Sequence, residues 1–232
     1  MELIWDGLKH ALQLLFAGDP RVLGIAIRSL QLSGLATVIS LLVAVPLGTV
    51  VALTRFPGRN LMVILINTGL SLPPVVVGLF VSITLWRSGP LGFLELLYTP
   101  TAIVIAQFVI CLPVITSLTL AAVQQIDPKL RQQLQGLGAS RPQMLGMLLW
   151  EARLPMLAAV MAGFGAVISE VGAVMMVGGN ILGSTRVLTT ATVLETRKGQ
   201  FDVAIALSLI LLLIAFAVTW ALTAFQQRGE VR

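Results

Sequence analysis

The sequence predicts an all-α integral membrane protein, a bundle of about five spans preceded by an amphipathic helix. Three observations carry that expectation. The 232 residues are 57% hydrophobic and 11% charged, a departure from soluble proteins on both counts. Apolar runs of about 20 residues or more, the length an α-helix needs to cross a bilayer, recur five times. A single polar, charged interval, residues 127–155, separates the third run from the fourth.

Residues 1–18 carry Glu2, Asp6, Lys9 and His10 among apolar residues, so they lack the basic start and uninterrupted core of a signal peptide. Ile4, Leu8, Ala11, Leu12 and Leu15 fall on one helical stripe, which predicts a helix lying at the membrane surface. Asp19-Pro20 is a cap followed by a first-turn proline. The span that follows, 22–53, exceeds the minimum and must tilt, break near Gly34 or Pro46, or project beyond the lipid. A short basic turn, Arg55-Phe56-Pro57-Gly58-Arg59, leads to a second span at 61–85. Pro73-Pro74 removes two backbone donors there, which suits either a kink facing a pathway or a packing bend. A loop at 88–99 without basic residues precedes the third span, 101–123, which holds Pro113.

The interval 127–155 reads as two short helices meeting at an elbow. Asp127 caps the first and Pro128 occupies its first position, while Leu130, Leu134 and Leu137 share one face. Gly138 ends it. Ser140 and Gln143 have capping-box spacing at the start of the second helix, with Pro142 in its first turn. Such a knob serves as a grip for a partner or as an ordinary surface loop.

The fourth span, 157–177, carries Ala158, Ala162 and Ala166 on one row and Ala159 and Gly163 on another, a pattern that lets helix backbones approach closely in lipid. Glu170 lies within it, and an ionisable group at that depth costs at least about 2.5 kcal/mol unless neutralised, paired or hydrated. It is a pathway candidate or, equally, a hydrogen-bonded packing residue that never meets substrate. After Gly178-Gly179-Asn180 a non-spanning segment runs to Gly199, in which Arg186, Thr189 and Thr190 stand near further hydroxyls and cations; that composition suits an oxyanion in transit, and it equally suits a solvated loop. The last span is 203–224, with a polar tail at 226–232.

Several functions are disfavoured by what the chain lacks. The net charge of +5 comes without an interleaved basic and aromatic stretch, so nucleic acid is not an expected partner. One cysteine, Cys111, and one histidine, His10, leave no disulfide, no multi-cysteine or His-rich metal site and no Ser-His-Asp triad. There is no H-E-x-x-H and no G-x-S-x-G. No G-x-x-x-x-G-K-[ST] loop occurs either, so the chain is expected to be no enzyme, to bind no cofactor, and to depend on another subunit for any use of ATP.

The run Leu137-Gly138-Ala139-Ser140-Arg141 and its surroundings resemble the cytoplasmic coupling loop of ATP-binding-cassette importer permeases. That signature begins Glu-Ala-Ala, where this chain has Gln132-Gln133-Leu134; its glycine is matched by Gly138, and its closing Leu-Pro falls at Trp150-Glu151, with Pro155 four residues later. The stretch Ser169-Glu170-Val171-Gly172-Ala173-Val174-Met175-Met176-Val177-Gly178-Gly179-Asn180-Ile181 is similar to permease subunits of tungstate importers, with a variant in the sulfate and molybdate permeases. Leu188-Thr189-Thr190-Ala191 extends the likeness, which covers about 22–225.

The resemblance implies a molybdate-permease-like fold for a transmembrane domain at 20–226, multi-pass in the plasma (inner) membrane, with the amino terminus outside and the carboxyl terminus cytoplasmic. It implies a dimer with a second copy, two cytoplasmic ATPase subunits carrying ATP and magnesium, and an extracytoplasmic oxyanion-binding protein. Gln132, Gln133, Leu134, Gly138, Ala139 and Ser140 become the ATPase-coupling residues, and Glu170, Arg186, Thr189 and Thr190 line the pathway. Tungstate is the expected substrate, with molybdate, vanadate or sulfate as alternatives. From the residues alone, an ion-gradient-driven transporter using Glu170 as a relay is the rival.

Overall fold

The structure is a computed structural model that describes Trp5, Lys9 and residues 19–230. The surface helix expected over 1–18, with His10, lies outside the described residues apart from those two positions. Among the described residues all regular structure is helical.

Helix α1 (Pro20–Leu53) begins where Asp19 accepts from the N–H groups of Arg21 and Val22 at 2.8 and 3.3 Å. Its 34 residues run unbroken through Gly34 and Pro46 for roughly 51 Å at 1.5 Å per residue, well beyond a hydrocarbon core of about 30 Å. Its two sides invert the pattern of a soluble helix. Ile27, Leu35, Val38 and Leu42 are exposed, whereas Ser29, Ser33, Ala36, Thr37, Ser40, Ala44 and Gly48 are buried. In lipid the outer surface must be apolar, and small inner residues let neighbouring backbones close together. Ser29 and Thr37 satisfy their hydroxyls on the carbonyls four residues back.

That small-residue seam meets α4 (Pro100–Gln124), forming the central pair of the bundle. The approach is close: a Cβ added to Gly48 would lie 2.8 Å from the Thr116 carbonyl oxygen. Helix α4 passes through Pro113 without a break. Across it, α7 (Arg153–Ile168) sets Gly163 so that a Cβ there would meet Cys111 Sγ at 2.8 Å. Of the two small rows expected on the fourth span, Ala159 and Gly163 form this buried contact, while Ala158 and Ala162 face outward.

Two expected spans differ from continuous helices. The span at 61–85 is divided into α2 (Arg59–Gly69) and α3 (Pro74–Leu85), bent by 103°. The cause is Pro73-Pro74: neither donates, and a proline forces the residue before it out of the helical region, so Pro73 sits at φ −63, ψ 125 and Pro74 restarts the helix. The span at 157–177 stops at Ile168, and a separate α8 (Gly172–Gly178) follows a break at 169–171. Gly69 turns against Pro113, and α3 packs on α8 with Gly78 against the Ala173 backbone.

The interval 127–155 contains α5 (Pro128–Gly136) and α6 (Arg141–Glu151), as the caps predict, and α6 meets α7 at a 65° bend. The remaining elements are α9 (Leu188–Arg197) and α10 (Phe201–Glu230), which pack together, with α10 continuing through the region expected as a tail. Among the described residues helices α1, α4 and α10 are each long and apolar enough to cross a membrane, and the total reaches five if each bent pair, α2 with α3 and α6 with α7, counts as one span. The turn after α1 and the α5–α6 elbow lie at one end of the bundle, since Val51, Ile66 and Leu120 form one cluster, and Ala122, Val123 and Ala152 pack with Leu53 in another. The loop before α4 lies at the opposite end, where Tyr98 N–H donates to the Val177 carbonyl.

Candidate functional site: a broken helix and a helical elbow

The break at 169–171 is stabilised by side chains from three directions. Ser169 donates back to the Gly165 carbonyl, so it closes α7. Glu170 Oε1 accepts from Ala173 N–H at 2.9 Å, capping α8. Thr189 Oγ1 donates to the Glu170 carbonyl at 2.9 Å. Gln107 on α4, 2% exposed, sends its Nε2 to both Ser33 Oγ at 3.2 Å and the Val167 carbonyl at 2.9 Å. That carbonyl also accepts from Glu170 N–H at 3.3 Å, so Gln107 adds a second donor where the regular helix ends and backbone groups need partners inside the protein.

Of the four pathway candidates, the structure brings Glu170 and Thr189 together. Glu170 is only partly buried, and its carboxylate is engaged as a helix cap rather than in an ion pair with Arg186. Arg186 is held elsewhere: its Nε and Nη2 donate to the side-chain and backbone oxygens of Asn180, each at 3.2 Å. Thr190 starts α9, where its hydroxyl accepts from Val187 N–H at 3.1 Å, and its carbonyl receives Asn180 Nδ2 at 3.4 Å. The middle of the following segment, 185–191, is packed rather than solvated, while 181–183 and 196–199 are exposed. It folds back so that the buried Thr189 reaches Glu170, and Leu188 N–H donates to Ser29 Oγ of α1 at 2.8 Å.

Gln107, Ser29 and Ser33 are site residues that sequence reasoning missed. The signal was present in the spacing: a glutamine inside an apolar span and serines at a four-residue interval on the small face of α1.

At the other site, the elbow, Gly138 adopts φ +74. Gly138 N–H donates to the Gln135 carbonyl and Ala139 N–H to the Leu134 carbonyl, both at 3.0 Å, the paired closure of a left-handed helix C-cap. Helix α6 begins with Ser140 N–H donating to Gln143 Oε1 at 2.9 Å. Gln132, Gln133, Gly138 and Ser140 are exposed, and Leu134 and Ala139 are half-buried. Helix α5 buries none of its residues, and Leu137 projects with 83% of its surface accessible. Arg153 stacks 4.4 Å from the Trp150 ring, bracing the bend into α7.

An apolar helical bundle with three to five candidate membrane spans, a break stabilised by buried polar side chains and a polar elbow at one end has the make-up of a membrane transport subunit. The chain belongs to the family of binding-protein-dependent transport system inner membrane components, whose sequence profile matches residues 44–230. It is 39% identical over 227 residues to the tungstate uptake system permease protein TupB of Peptoclostridium acidaminophilum, covering 98% of this chain and all of the relative. It is 34% identical over 220 residues to TupB of Campylobacter jejuni, covering 95% and 92%. Among solved structures it is similar to a bacterial ABC transporter involved in the import of the acidic polysaccharide alginate, with a TM-score of 0.73 at 18% identity over 89% of this chain and 79% of that one. The last likeness shows the fold alone. Membership makes the chain a permease component of an importer rather than an enzyme, and it removes the gradient-driven rival.

Proposed function

We propose that this chain is the permease subunit of an ATP-driven tungstate importer, receiving the anion from an extracytoplasmic binding protein and releasing it into the cytoplasm. The 39% identity to a tungstate uptake permease, over nearly the whole of both chains, is the observation that carries the substrate. Two copies pair around the passage, and two cytoplasmic ATPase subunits, which hold ATP and magnesium, sit beneath the elbow. The amino terminus is then outside and the carboxyl terminus cytoplasmic. Gln132, Gln133, Leu134, Gly138, Ala139 and Ser140 present the elbow to the ATPase. With glutamines where the family signature begins with glutamate, the contact relies on shape and on the projecting Leu137.

In this reading Glu170, Arg186, Thr189 and Thr190 border the passage, with Glu170 setting the break that gives α8 freedom from α7. A carboxylate repels an oxyanion, so its role is to shape the backbone and to keep anions from resting there. The test is reconstitution with candidate ATPase and binding-protein partners. Tungstate-loaded receptor is expected to stimulate ATP turnover more than molybdate-, vanadate- or sulfate-loaded receptor; equal stimulation by sulfate overturns the substrate.

A further inference from the structure

Between α1 and α2 the chain makes a tight reversal. Pro57 and Gly58 occupy its centre, Gly58 has φ +85 and ψ 0, and Arg59 N–H donates to the Phe56 carbonyl at 3.2 Å, the geometry of a type II turn. The turn leaves a hollow of about 360 Å³ lined by Arg55, Phe56, Gly58, Arg59 and Asn60. We propose that this hollow binds the phosphate of an anionic glycerophospholipid whose acyl chains lie along α2.

Two cations and an amide line the hollow, with no carboxylate among the lining residues. Arg55 is exposed and, among the described residues, has no ion pair or hydrogen bond. Arg59 is aimed: its Nε donates to the Val51 carbonyl at 2.8 Å, which fixes the guanidinium and leaves its terminal nitrogens for an acceptor. Two forked guanidiniums and the Asn60 amide match the oxygens of a phosphate. The apolar half is equally specific. Leu61, Ile64 and Leu65 fall on one face of α2 immediately beyond Asn60 and are each about 60% exposed, at 60%, 59% and 62%. A free phosphate would use only the polar half, whereas a lipid uses both. Basic hollows between helices at a membrane face are suited to anionic headgroups. The proposal needs only that the chain spans a bilayer, and it is independent of the anion transported and of coupling to an ATPase.

The purified full chain in neutral detergent is mixed with phosphatidylglycerol, phosphatidylcholine or glycerol phosphate, and retained ligand is counted by native mass spectrometry. Phosphatidylglycerol is expected to be retained over phosphatidylcholine, and equal glycerol phosphate should not displace it. Arg55→Gln should lower phosphatidylglycerol retention about fivefold while leaving phosphatidylcholine unchanged. Asn60→Ala, which keeps every charge, should lower it less; it carries the test if Arg55→Gln does not fold. Equal retention of the two lipids overturns the proposal, as does retention indifferent to both substitutions. Displacement by glycerol phosphate would make the hollow a small-anion site. A variant that sheds a co-purifying ATPase yet holds its lipid would assign these arginines to a protein contact.

Discussion

One substitution, glycine to alanine, should have opposite effects at two points on α1. At Gly48 the new Cβ would lie 2.8 Å from the Thr116 carbonyl oxygen, 3.0 Å from Thr119 Cβ and 3.2 Å from Leu120 N. Two of those three atoms are backbone in the middle of α4, so no side chain can rotate aside. Restoring ordinary contact of about 3.4 Å means moving the helices apart by roughly 0.6 Å, a gap that forfeits a quarter or more of the dispersion between facing atoms. Overpacking of this kind costs about 1–3 kcal/mol. At Gly34, on the same helix, a Cβ meets nothing within 4 Å. There the alanine removes backbone freedom from the unfolded chain and should stabilise by about 0.5–1 kcal/mol. Thermal unfolding of the purified permease, at about 2–4 °C per kcal/mol for a chain of this size, should move roughly 2–12 °C downward for Gly48→Ala and upward by a few degrees for Gly34→Ala. Shifts of the same sign would refute the reasoning that α1 and α4 are in backbone contact at Gly48.

Other changes probe the elbow and the break. Gly138→Val places a β-branched residue at φ +74 and should cost about 1–2 kcal/mol locally; the spans stay folded while ATP hydrolysis continues without uptake, read by parallel ATPase and transport assays. Glu170→Gln keeps an oxygen for Ala173 N–H and should leave stability within about 0.5 kcal/mol, whereas Glu170→Ala loses the cap at about 1 kcal/mol, a difference visible in the same unfolding measurement. Thr189→Val removes the hydroxyl donated to the Glu170 carbonyl; a loss of about 0.6 kcal/mol is expected, and no loss would separate α9 from the break.

Local signals proved readable wherever a residue acts on its own neighbours. Asp19, Asp127 and Pro128 set helix starts, and Gly138 ended α5 through the backbone geometry its lack of a side chain permits. Pro73-Pro74 announced a disturbance in the second span, but its size, 103°, depends on Gly69 finding room against Pro113. The break near Glu170 was harder to read, because no proline marks it. Apolar composition continued through 157–177, and a span was the natural expectation. At the break the backbone takes partners supplied by distant residues, Gln107 at the Val167 carbonyl and Thr189 at the Glu170 carbonyl.

By itself, then, the sequence determined the apolar surroundings this protein is built for, the helices of the elbow and the absence of a nucleotide-binding loop. Those properties follow from composition, length and short-range backbone chemistry, which act within a few residues. Only the tertiary structure decided that Thr189 belongs beside Glu170 while Arg186 belongs to Asn180. In a bilayer every backbone group must find a partner inside the protein, and the choice among partners is made by helices that lie far apart in the chain.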